Sequence, residues 1–412
     1  MHKHLNKKQF GFRPKHETKH AILDLKEHIL SNCGKKLVSC ILSLDLRKAF
    51  DSVSHKILIK KLEHYGVRGI ALQLFTSYLT NRKQHTCIDD CLSIADIVLW
   101  GVPQGSVLGP LLFLIFINDI LKASDLATWL FADDTALVCS AINLILLKNK
   151  MNAEVDKIQH WLLANKLTVH YVDKSQYMLI NSNKHIRIQD GLFELKMGGH
   201  DISRTNNYKY LGVLVDEKFS WEYQIQAICK TLSQVAGIIF KTRRYLPKPA
   251  LMAIYHSLAG SCLRYGINCW GTANKSLLNK IDTVHNKIVR YLDFSPFSCS
   301  RAWPHYQNLD ILPLDLQIQL EWGRLMYQYE NNKLPRVFDD YFQKPAHRYP
   351  TSFSRRGNYD LVRVSSAREQ QMFKYIGPKS WSNIPVEIKN ALSINSFTTK
   401  LKEKLISDYE NE

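Results

Sequence analysis

The chain has no long uninterrupted hydrophobic stretch and no hydrophobic N-terminus. Its longest apolar run, residues 107–117, is interrupted by Gly109 and Pro110 and is too short to span a bilayer. Residues 1–13 carry histidine, lysine and glutamine where a signal peptide would have an apolar core. These two absences argue against a transmembrane or secreted protein, and we expect no membrane partner.

The chain also has no closely spaced cysteine pair of the Cys-x-x-Cys kind, and it has fewer acidic than basic residues. The nine cysteines are odd in number and form no Cys-x-x-Cys pair, which excludes a disulfide framework and fits a reducing compartment. His85, Cys87 and Cys91 resemble half of a zinc site, but no second half follows nearby, so we expect no zinc there. The 55 basic against 37 acidic residues give a net charge of +18. This charge indicates a polyanionic partner such as nucleic acid, although a membrane surface would satisfy it equally.

What the chain does contain is a pair of adjacent carboxylates, Asp133 and Asp134, between apolar strand-like runs at 128–132 and 136–139. A two-residue connection between such runs predicts a tight hairpin with both carboxylates at its tip. Because adjacent like charges repel, this turn favours a bound cation, and Mg²⁺ prefers carboxylate oxygens. An ordinary solvated turn is the alternative. Two further acidic pairs lack apolar flanks and are interpreted as solvated loops: Asp89-Asp90 and Asp339-Asp340.

Hydrophobic periodicity divides the chain into a mixed part and a helical part. Residues 38–216 follow the order strand, helices, strand hairpin, helix, strand, which predicts a split βαβ sheet with helices on one face. From Trp221 onward the patterns are helical. The predicted strands outside the hairpin are Val38–Leu44, Leu167–Tyr171, Gln176–Asn181 and Tyr208–Asp216. The predicted helices are Thr18–Leu30, His55–Tyr65, Ile70–Leu79, Leu108–Leu121, Ile145–Lys166 and Ser396–Ser407.

A third carboxylate, Asp45, directly follows the first predicted strand. If this strand and the acidic hairpin are neighbours in one sheet, Asp45, Asp133 and Asp134 meet at one edge. Three such carboxylates can hold two divalent cations, one for an attacking 3′-hydroxyl and one for a triphosphate and its leaving group. The arrangement therefore predicts a nucleotidyl-transfer site.

Two basic clusters lie in the helical part. One comprises Lys241, Arg243 and Arg244, and the other places Lys280 and Lys287 on a single helical face. We expect both clusters to contact a nucleic-acid backbone, and a solvated helix surface is the alternative.

Four segments occur in order along the chain: Leu44-Asp-Leu-Arg-Lys-Ala-Phe-Asp51, Gly101-Val-Pro-Gln-Gly-Ser-Val-Leu-Gly-Pro110, Phe131-Ala-Asp-Asp134 and Tyr208-Lys-Tyr-Leu-Gly-Val213. Together they resemble the reverse transcriptase of non-LTR retrotransposons of the jockey or CR1-like kind, over about residues 9–245. The resemblance implies an RNA-directed DNA polymerase, a nucleotidyltransferase that uses two Mg²⁺ ions, with Mn²⁺ as an alternative. The implied partners are an RNA template, a DNA primer and dNTPs, with a separate endonuclease as a candidate. The implied location is the nucleus, with the cytoplasm as the alternative.

The implied fold is α+β, a right-hand polymerase built around a palm. In this scheme residues 1–36 are partial fingers, 37–220 the palm, 221–290 a helical thumb, and 291–412 a C-terminal region without an assigned role. The last region contains the segment Tyr375-Ile-Gly-Pro-Lys-Ser-Trp-Ser-Asn-Ile-Pro385, which resembles a C-terminal region common in this family.

The resemblance also assigns roles around the incoming nucleotide. Asp45 and Asp133 are implied to be the principal metal ligands, with Asp134 as the second member of the pair. Phe50 resembles the aromatic gate that excludes a ribose 2′-hydroxyl by steric contact, and a core phenylalanine is the alternative. Gln104 and Gly105 resemble the turn that packs against the nucleotide and the template, where glycine permits close approach of the backbone.

Three further assignments come from the same resemblance. Arg13, in Gln9-Phe-Gly-Phe-Arg13, resembles the fingers residue that reaches the nucleotide or the template. Lys174 resembles the lysine that protonates the pyrophosphate leaving group, and an ordinary solvated lysine is the alternative. The primer grip, the hairpin that would hold the primer end against the metals, is implied to comprise Tyr210, Leu211 and Gly212.

The sequence departs from the family pattern at its start. It opens near Gln9, whereas full enzymes of this kind have more of the fingers upstream and an endonuclease domain before the polymerase. We therefore expect a truncated copy or an internal start. Intact Asp45, Asp133 and Asp134 favour an active polymerase, while the missing fingers favour a catalytically silent nucleic-acid-binding remnant. An intron-encoded maturase is a third reading, and the C-terminal half shows no splicing-helper region that would support it.

Overall fold

The computed structural model describes residues 4–171, 174–182, 186, 191–294, 302–344, 359–364 and 366–410. The chain is mixed α/β, as the alternating sequence patterns predict, and it forms two compact units. Unit 1 comprises Met1–Ala21 with Lys36–Asn206, and unit 2 comprises Ile22–Lys35 with Asn207–Glu412. The division into fingers, palm, thumb and C-terminal region stays a prediction.

The strands are β1 (Val38–Leu44), β2 (Lys83–Gln84), β3 (Cys87–Ile88), β4 (Cys91–Leu92), β5 (Asp96–Ile97), β6 (Ala127–Phe131), β7 (Asp134–Ala141), β8 (Gln176–Asn181), β9 (Leu195–Met197), β10 (His200–Arg204), β11 (Asn207–Tyr210) and β12 (Val213–Asp216). The helices are α1 (Thr18–Gly34), α2 (His55–His64), α3 (Ile70–Leu79), α4 (Leu108–Ile117), α5 (Leu144–Ala164), α6 (Glu222–Thr242), α7 (Lys248–Ile254), α8 (Ser261–Arg264), α9 (Ile267–Trp270), α10 (Lys275–Leu292), α11 (Trp303–Asn308), α12 (Leu314–Glu330), α13 (Phe373–Ser382), α14 (Val386–Lys389) and α15 (Ile394–Glu410).

Unit 1 is built on a six-stranded sheet with the order β6-β7-β1-β8-β10-β9. Strand β1 is almost wholly buried and pairs antiparallel with β7 on one side and β8 on the other. Its compact, mostly apolar run is typical of a central strand, because both faces of such a strand are covered. Helix α5 packs against β1 and β7. It does so through an apolar stripe at helical spacing: Leu147, Met151, Val155, Ile158 and Leu162.

Several predicted elements are confirmed with their predicted bounds, namely β1, α3 and β8. The strand predicted at Leu167–Tyr171 is wrong. Val169 forms only an isolated bridge with Leu46, and the His170 carbonyl accepts from the Ser175 amide at 3.0 Å rather than from a neighbouring strand. The pattern of apolar and polar residues could not distinguish a bridge from a strand, since an isolated bridge has the same residue preferences as a short strand.

The segment Tyr208–Asp216 forms two strands, β11 and β12, and the prediction of one strand is wrong. The break lies at Leu211 and Gly212, whose φ angles are +45° and +83°. A left-handed pair of this kind reverses the chain in a tight hairpin turn. The predicted helix to Leu121 also ends earlier, at Ile117, and continues as a 3₁₀ turn over Asn118–Lys122.

Unit 2 is helical apart from β11 and β12. Helix α6 packs against α10, and α12 packs against α13 and α15. The final helix is longer than predicted, and α13 continues through Pro378. Across the described part of the chain, no helix is long and apolar enough to cross a membrane.

Candidate active site

The register of the central sheet brings the three predicted carboxylates to one edge. Leu44 of β1 lies opposite Thr135 of β7, so the next residues, Asp45 and Asp134, are neighbours where the two strands meet the edge. The β6–β7 pairing closes with Phe131 opposite Asp134. The hairpin connection is therefore Ala132–Asp133, and Asp134 is the first residue of β7 rather than part of the tip.

The pKa values of Asp133 and Asp134 are both raised at this edge of the sheet. Loss of hydration, followed by the charges of Asp133 and Asp45, raises the pKa of Asp134 to about 6. The pKa of Asp133 is raised by loss of hydration and by Asp45, against the opposing effect of its own backbone N–H. Within the described residues, no three acidic, histidine or cysteine side chains are gathered closely enough to form a metal cage.

Asp45 has two basic side chains near its carboxylate and hydrogen bonds on both sides of its backbone. Its Oδ2 lies 3.4 Å from Nζ of Lys174 and 3.9 Å from Nε2 of His170. Although that oxygen is buried, it accepts no hydrogen bond of good geometry among the described residues. The backbone is held from both sides, because the Asp45 N–H donates to Oγ of Ser175 at 3.3 Å and its carbonyl accepts from the His170 amide at 2.9 Å. Lys174 thus places a cation beside the Asp45 carboxylate, while Ser175 and His170 fix the Asp45 backbone.

The segment that follows Asp45 packs against the Gly101–Pro110 motif. The Val102 amide donates to the Phe50 carbonyl at 2.9 Å, and Nε2 of Gln104 donates to Oδ1 of Asp51 at 2.7 Å. Gly101 has a φ of +88°, and a Cβ there would lie 3.0 Å from the Asp51 Cα. The turn therefore approaches Asp51 so closely that a side chain at position 101 would clash with its backbone.

Phe50 and Gly105 are brought to this same region. The Phe50 ring stacks on Phe113 at 4.3 Å between centroids and meets the exposed ring of Phe12 edge-on at 6.2 Å. The Phe50 ring is therefore half-buried, with one face on the core. Gly105 has a φ of +75° and open space around it.

Arg13 is engaged with its own segment. Its Nη1 donates to the backbone carbonyls of Asn6 and Gln9, at 2.6 and 2.8 Å. These bonds close the loop that contains the Gln-Phe-Gly-Phe-Arg motif, so in this conformation Arg13 supports the loop that the sequence singled out.

In unit 2, the Tyr210–Gly212 segment forms the β11–β12 turn. The Tyr210 side chain is buried, and the hydroxyl of Tyr265 donates to the Leu211 carbonyl at 2.6 Å. A Cβ on Gly212 would come within 3.0 Å of the Tyr265 ring. Tyr265 therefore sets the shape of this turn, in which Tyr210 is buried and Gly212 is exposed.

The predicted basic clusters of unit 2 partly merge. The Arg243 guanidinium lies over the rings of Phe240 and Tyr291, at 4.9 and 5.3 Å, and Nζ of Lys287 lies 5.8 Å from the same Tyr291 ring. The packing of α6 on α10 thereby joins residues far apart in sequence into one basic surface. The remaining predicted members of the clusters are exposed: Lys241, Arg244 and Lys280.

Sequence reasoning missed residues that act through hydrogen bonds to the backbone. Ser175 follows the lysine that was singled out, Gln9 opens the motif from which only Arg13 was chosen, and Tyr265 lies in a helical region without a recognised motif. Gln9 and Ser175 are both fully buried polar residues. The sequence does not show that Gln9 and Ser175 are buried. The sequence feature that could have identified them is their position within a motif or next to a predicted site residue.

The chain belongs to the reverse transcriptase (RNA-dependent DNA polymerase) family, whose sequence model matches residues 1–215. This match confirms the resemblance carried by the four motifs. Among the relatives, the RNA-directed DNA polymerase from mobile element jockey of Drosophila melanogaster is 27% identical over 307 residues, which cover 72% of this chain and 33% of the relative. The probable RNA-directed DNA polymerase from transposon BS of the same species is 27% identical over 342 residues, or 77% of this chain and 35% of the relative.

The chain thus spans about a third of the length of these relatives. A telomerase structure from Candida albicans, in complex with a fragment of telomeric RNA, is 10% identical. It covers 72% of this chain and 58% of the telomerase chain, with a TM-score of 0.35. A score of that size carries no argument about the fold, so the family assignment rests on the sequence match.

Proposed function

We propose that this chain is the polymerase part of a non-LTR retrotransposon protein and joins dNTPs to a primer 3′-hydroxyl on an RNA template. The observation that carries the proposal is the strand register that brings Asp45 beside Asp134 and the Asp133 turn. Family membership supports the same reaction, since the relatives are named RNA-directed DNA polymerases.

Asp45, Asp133 and Asp134 would hold two Mg²⁺ ions, with Mn²⁺ as an alternative. The donor chemistry fits, because all three side chains are carboxylates and the buried Oδ2 of Asp45 accepts no hydrogen bond among the described residues. In the described structure the three carboxylates are not gathered into a metal cage, so the fit rests on their chemistry and on their common sheet edge. Bound there, the ions would promote attack by the 3′-hydroxyl and neutralise the triphosphate. Lys174, whose Nζ lies 3.4 Å from Oδ2 of Asp45, would donate a proton to the leaving pyrophosphate.

Phe50 would select the sugar. Its ring rests on Phe113, so it has little freedom to move away from a ribose 2′-hydroxyl. Gln104 and Gly105 would line the path of the nucleotide and template, where the open space around Gly105 leaves room for a base or sugar. Arg13 would act by holding the loop at 6–13, and a shift of its guanidinium toward the template would require its two carbonyl contacts to break.

In architectural terms, we assign 1–36 to partial fingers, 37–220 to the palm, 221–290 to the thumb and 291–412 to a C-terminal region without an assigned role. The Tyr210–Gly212 turn would be the primer grip, and the exposure of Gly212 supports a contact to the primer there. The basic surface around Tyr291 would bind the template–primer duplex through phosphates. The other partners proposed are dNTPs and a separate endonuclease, and the proposed location is the nucleus, with the cytoplasm as the alternative.

The first test is extension of a DNA primer on an RNA template by the purified 412-residue chain, with and without Mg²⁺. Asp133→Asn keeps the size of the side chain and removes its charge, so it should abolish extension while duplex binding persists. The matched control is Asp339→Asn, since Asp339 belongs to an acidic pair outside the candidate site.

The second candidate function is a catalytically silent nucleic-acid-binding remnant. It is favoured by the net charge of +18 and by the basic surface around Tyr291, which would bind nucleic acid without any metal ion. Salt-sensitive duplex binding without extension in Mg²⁺ or Mn²⁺ would support this second function and refute the first. Extension that requires both the metal and Asp133 would establish the polymerase.

A further inference from the structure

Ala132, the residue before Asp133, has a left-handed backbone conformation with a φ of +57°. Residues with a Cβ rarely adopt this conformation, because the Cβ crowds the following carbonyl. The conformation therefore needs support from the surroundings. Its amide donates a hydrogen bond to Oε1 of Gln9 at 3.1 Å, and Gln9 is fully buried.

The same Gln9 oxygen also binds its own segment. It accepts from the Gly11 amide at 2.9 Å, which makes it a bridge between the Gln-Phe-Gly-Phe-Arg loop and the acidic turn. The two segments also pair through their backbones, because the Phe10 amide donates to the Leu130 carbonyl at 2.7 Å and the Leu130 amide donates to the Lys8 carbonyl at 3.0 Å. Residues 8–10 thus form a short extension of the sheet beside β6.

Gly11 shows how tightly the loop and the turn fit. A Cβ at this position would lie 2.4 Å from the Ala132 nitrogen and 3.0 Å from the Phe131 carbonyl carbon. Both neighbours are backbone atoms of the turn, so the turn would have to move to accept any side chain there. The absence of a side chain at position 11 is what lets the Gln9 amide reach Ala132.

We propose that Gln9 is a positioning residue that holds Ala132 left-handed and thereby aims Asp133 and Asp134 at the edge occupied by Asp45. The Gln9 amide nitrogen, Nε2, has no hydrogen-bond partner among the described residues although it is buried. An unpaired buried donor is unfavourable, and an apolar side chain of similar volume would avoid it. The contribution specific to glutamine is therefore its oxygen, which binds the two amides. The importance of this for catalysis rests on the proposed function.

The first test measures the contact itself by amide hydrogen exchange at Ala132 in the full chain, using ¹⁵N-alanine labelling. The wild-type Ala132 amide should exchange slowly, like Ala136 within β7. Gln9→Leu should speed exchange at Ala132 at least tenfold and leave Ala136 unchanged. Gln9→Glu keeps an acceptor oxygen and should restore protection. Gln73→Leu makes the same chemical change on the exposed surface of α3 and should leave both amides as they are.

The second test measures the consequence with Mn²⁺ alone as the probe, by calorimetry. Loss of a group that orients metal-binding side chains weakens metal affinity about 10- to 100-fold. Gln9→Leu should weaken Mn²⁺ binding by that amount, and it should lower kcat for extension with an unchanged KM for dNTP. If Gln9 had only a structural role, Gln9→Leu would lower the melting temperature without a selective loss of Mn²⁺ affinity and kcat. In that case Gln9→Glu would not restore the melting temperature.

The outcomes separate this proposal from the proposed function. Rapid exchange of the Ala132 amide in the wild-type chain would overturn it, even if Gln9→Leu fails to fold. Unchanged Mn²⁺ affinity in a folded Gln9→Leu chain would also overturn it. Protection by Gln9 and selective weakening of Mn²⁺ binding, in a chain without primer extension, would uphold the positioning role and refute the polymerase activity.

Discussion

At the scale of single residues, the candidate site depends on polar side chains that hold the backbone as much as on the carboxylates. Ser175 is fully buried, and its hydroxyl accepts from the Asp45 amide. The preceding residue is Lys174, whose Nζ lies 3.4 Å from Oδ2 of Asp45. Two adjacent residues thus place a cation beside the carboxylate and fix the peptide from which that carboxylate projects.

We expect Ser175→Ala to lower the extension rate by about fivefold, because one hydrogen bond contributes about 1 kcal/mol and here it orients Asp45. The change should appear in kcat measured by single-turnover extension, with KM for dNTP unchanged. Ser203→Ala, at an exposed serine of β10, is the control and should retain the wild-type rate. Equal rates for wild type and Ser175→Ala would show that the backbone holds Asp45 without this hydroxyl.

At the scale of elements, unit 2 joins helices distant in sequence through a buried carboxylate. Glu27 of α1 accepts from the amides of Phe373 and Lys374, at 2.8 and 3.3 Å, and so occupies the N-terminus of α13. A negative group is favourable there, because the first amides of a helix have no partner within the helix. Burial nevertheless raises the pKa of Glu27 to about 7, against the opposing effects of the Phe373 amide, Lys374 and Lys26.

This raised pKa predicts a pH dependence of stability. Between the unfolded value near 4.5 and about 7, folded Glu27 keeps a proton that the unfolded chain releases. Its contribution to stability is therefore greatest below pH 4.5, falls by about 1.4 kcal/mol per pH unit as the pH rises, and levels off above pH 7. Glu27→Gln keeps an acceptor oxygen and cannot titrate, so it should become more stable relative to wild type across this range.

Urea unfolding at pH 5 and pH 7.5 would measure the difference between wild type and Glu27→Gln. Glu63→Gln, on the exposed surface of α2, serves as the control, and its difference from wild type should stay constant. A wild-type chain that gains stability relative to Glu27→Gln toward pH 7.5 would contradict the direction assigned here.

At the scale of the whole molecule, the net charge of +18 should make the affinity for a polyanion depend on salt concentration. Binding through phosphates releases counterions, so affinity should fall steeply with salt. The packing of α6 against α10 gathers Arg243 and Lys287 around Tyr291, which makes this surface the natural place to test the effect.

The double variant Arg243→Ala with Lys287→Ala should reduce the slope of log affinity against log salt by about 2, because two phosphates would no longer be neutralised by the protein. The measurement is template–primer binding by fluorescence anisotropy over a series of salt concentrations. Lys344→Ala removes a lysine that already pairs with Glu330 at 2.9 Å, and it should leave the slope unchanged. A wild-type slope in the double variant would mean that phosphates do not contact this surface.

The amino-acid sequence was sufficient to identify the family, the central strand, the acidic hairpin and the helical character of the second half. These features are local or lie within motifs: a compact, mostly apolar run predicts β1, and the spacing of apolar residues predicts α5. The identity of the three carboxylates could likewise be read from motifs, because their chemistry belongs to the side chains themselves. The roles given to the three carboxylates, to Phe50, to Lys174 and to the other candidate site residues stay predictions.

The residues that support those motifs could be identified only from the folded chain. The support that Gln9 gives Ala132, the contact of Ser175 with Asp45, the Tyr265 bond to the β11–β12 turn and the Glu27 contact with α13 all join segments distant in sequence. A hydrogen bond to a backbone amide needs only an oxygen at the right place, so many residue types can supply it and no sequence pattern marks it. That is why the carboxylates could be named from the sequence, whereas their supports became visible only when the chain was folded.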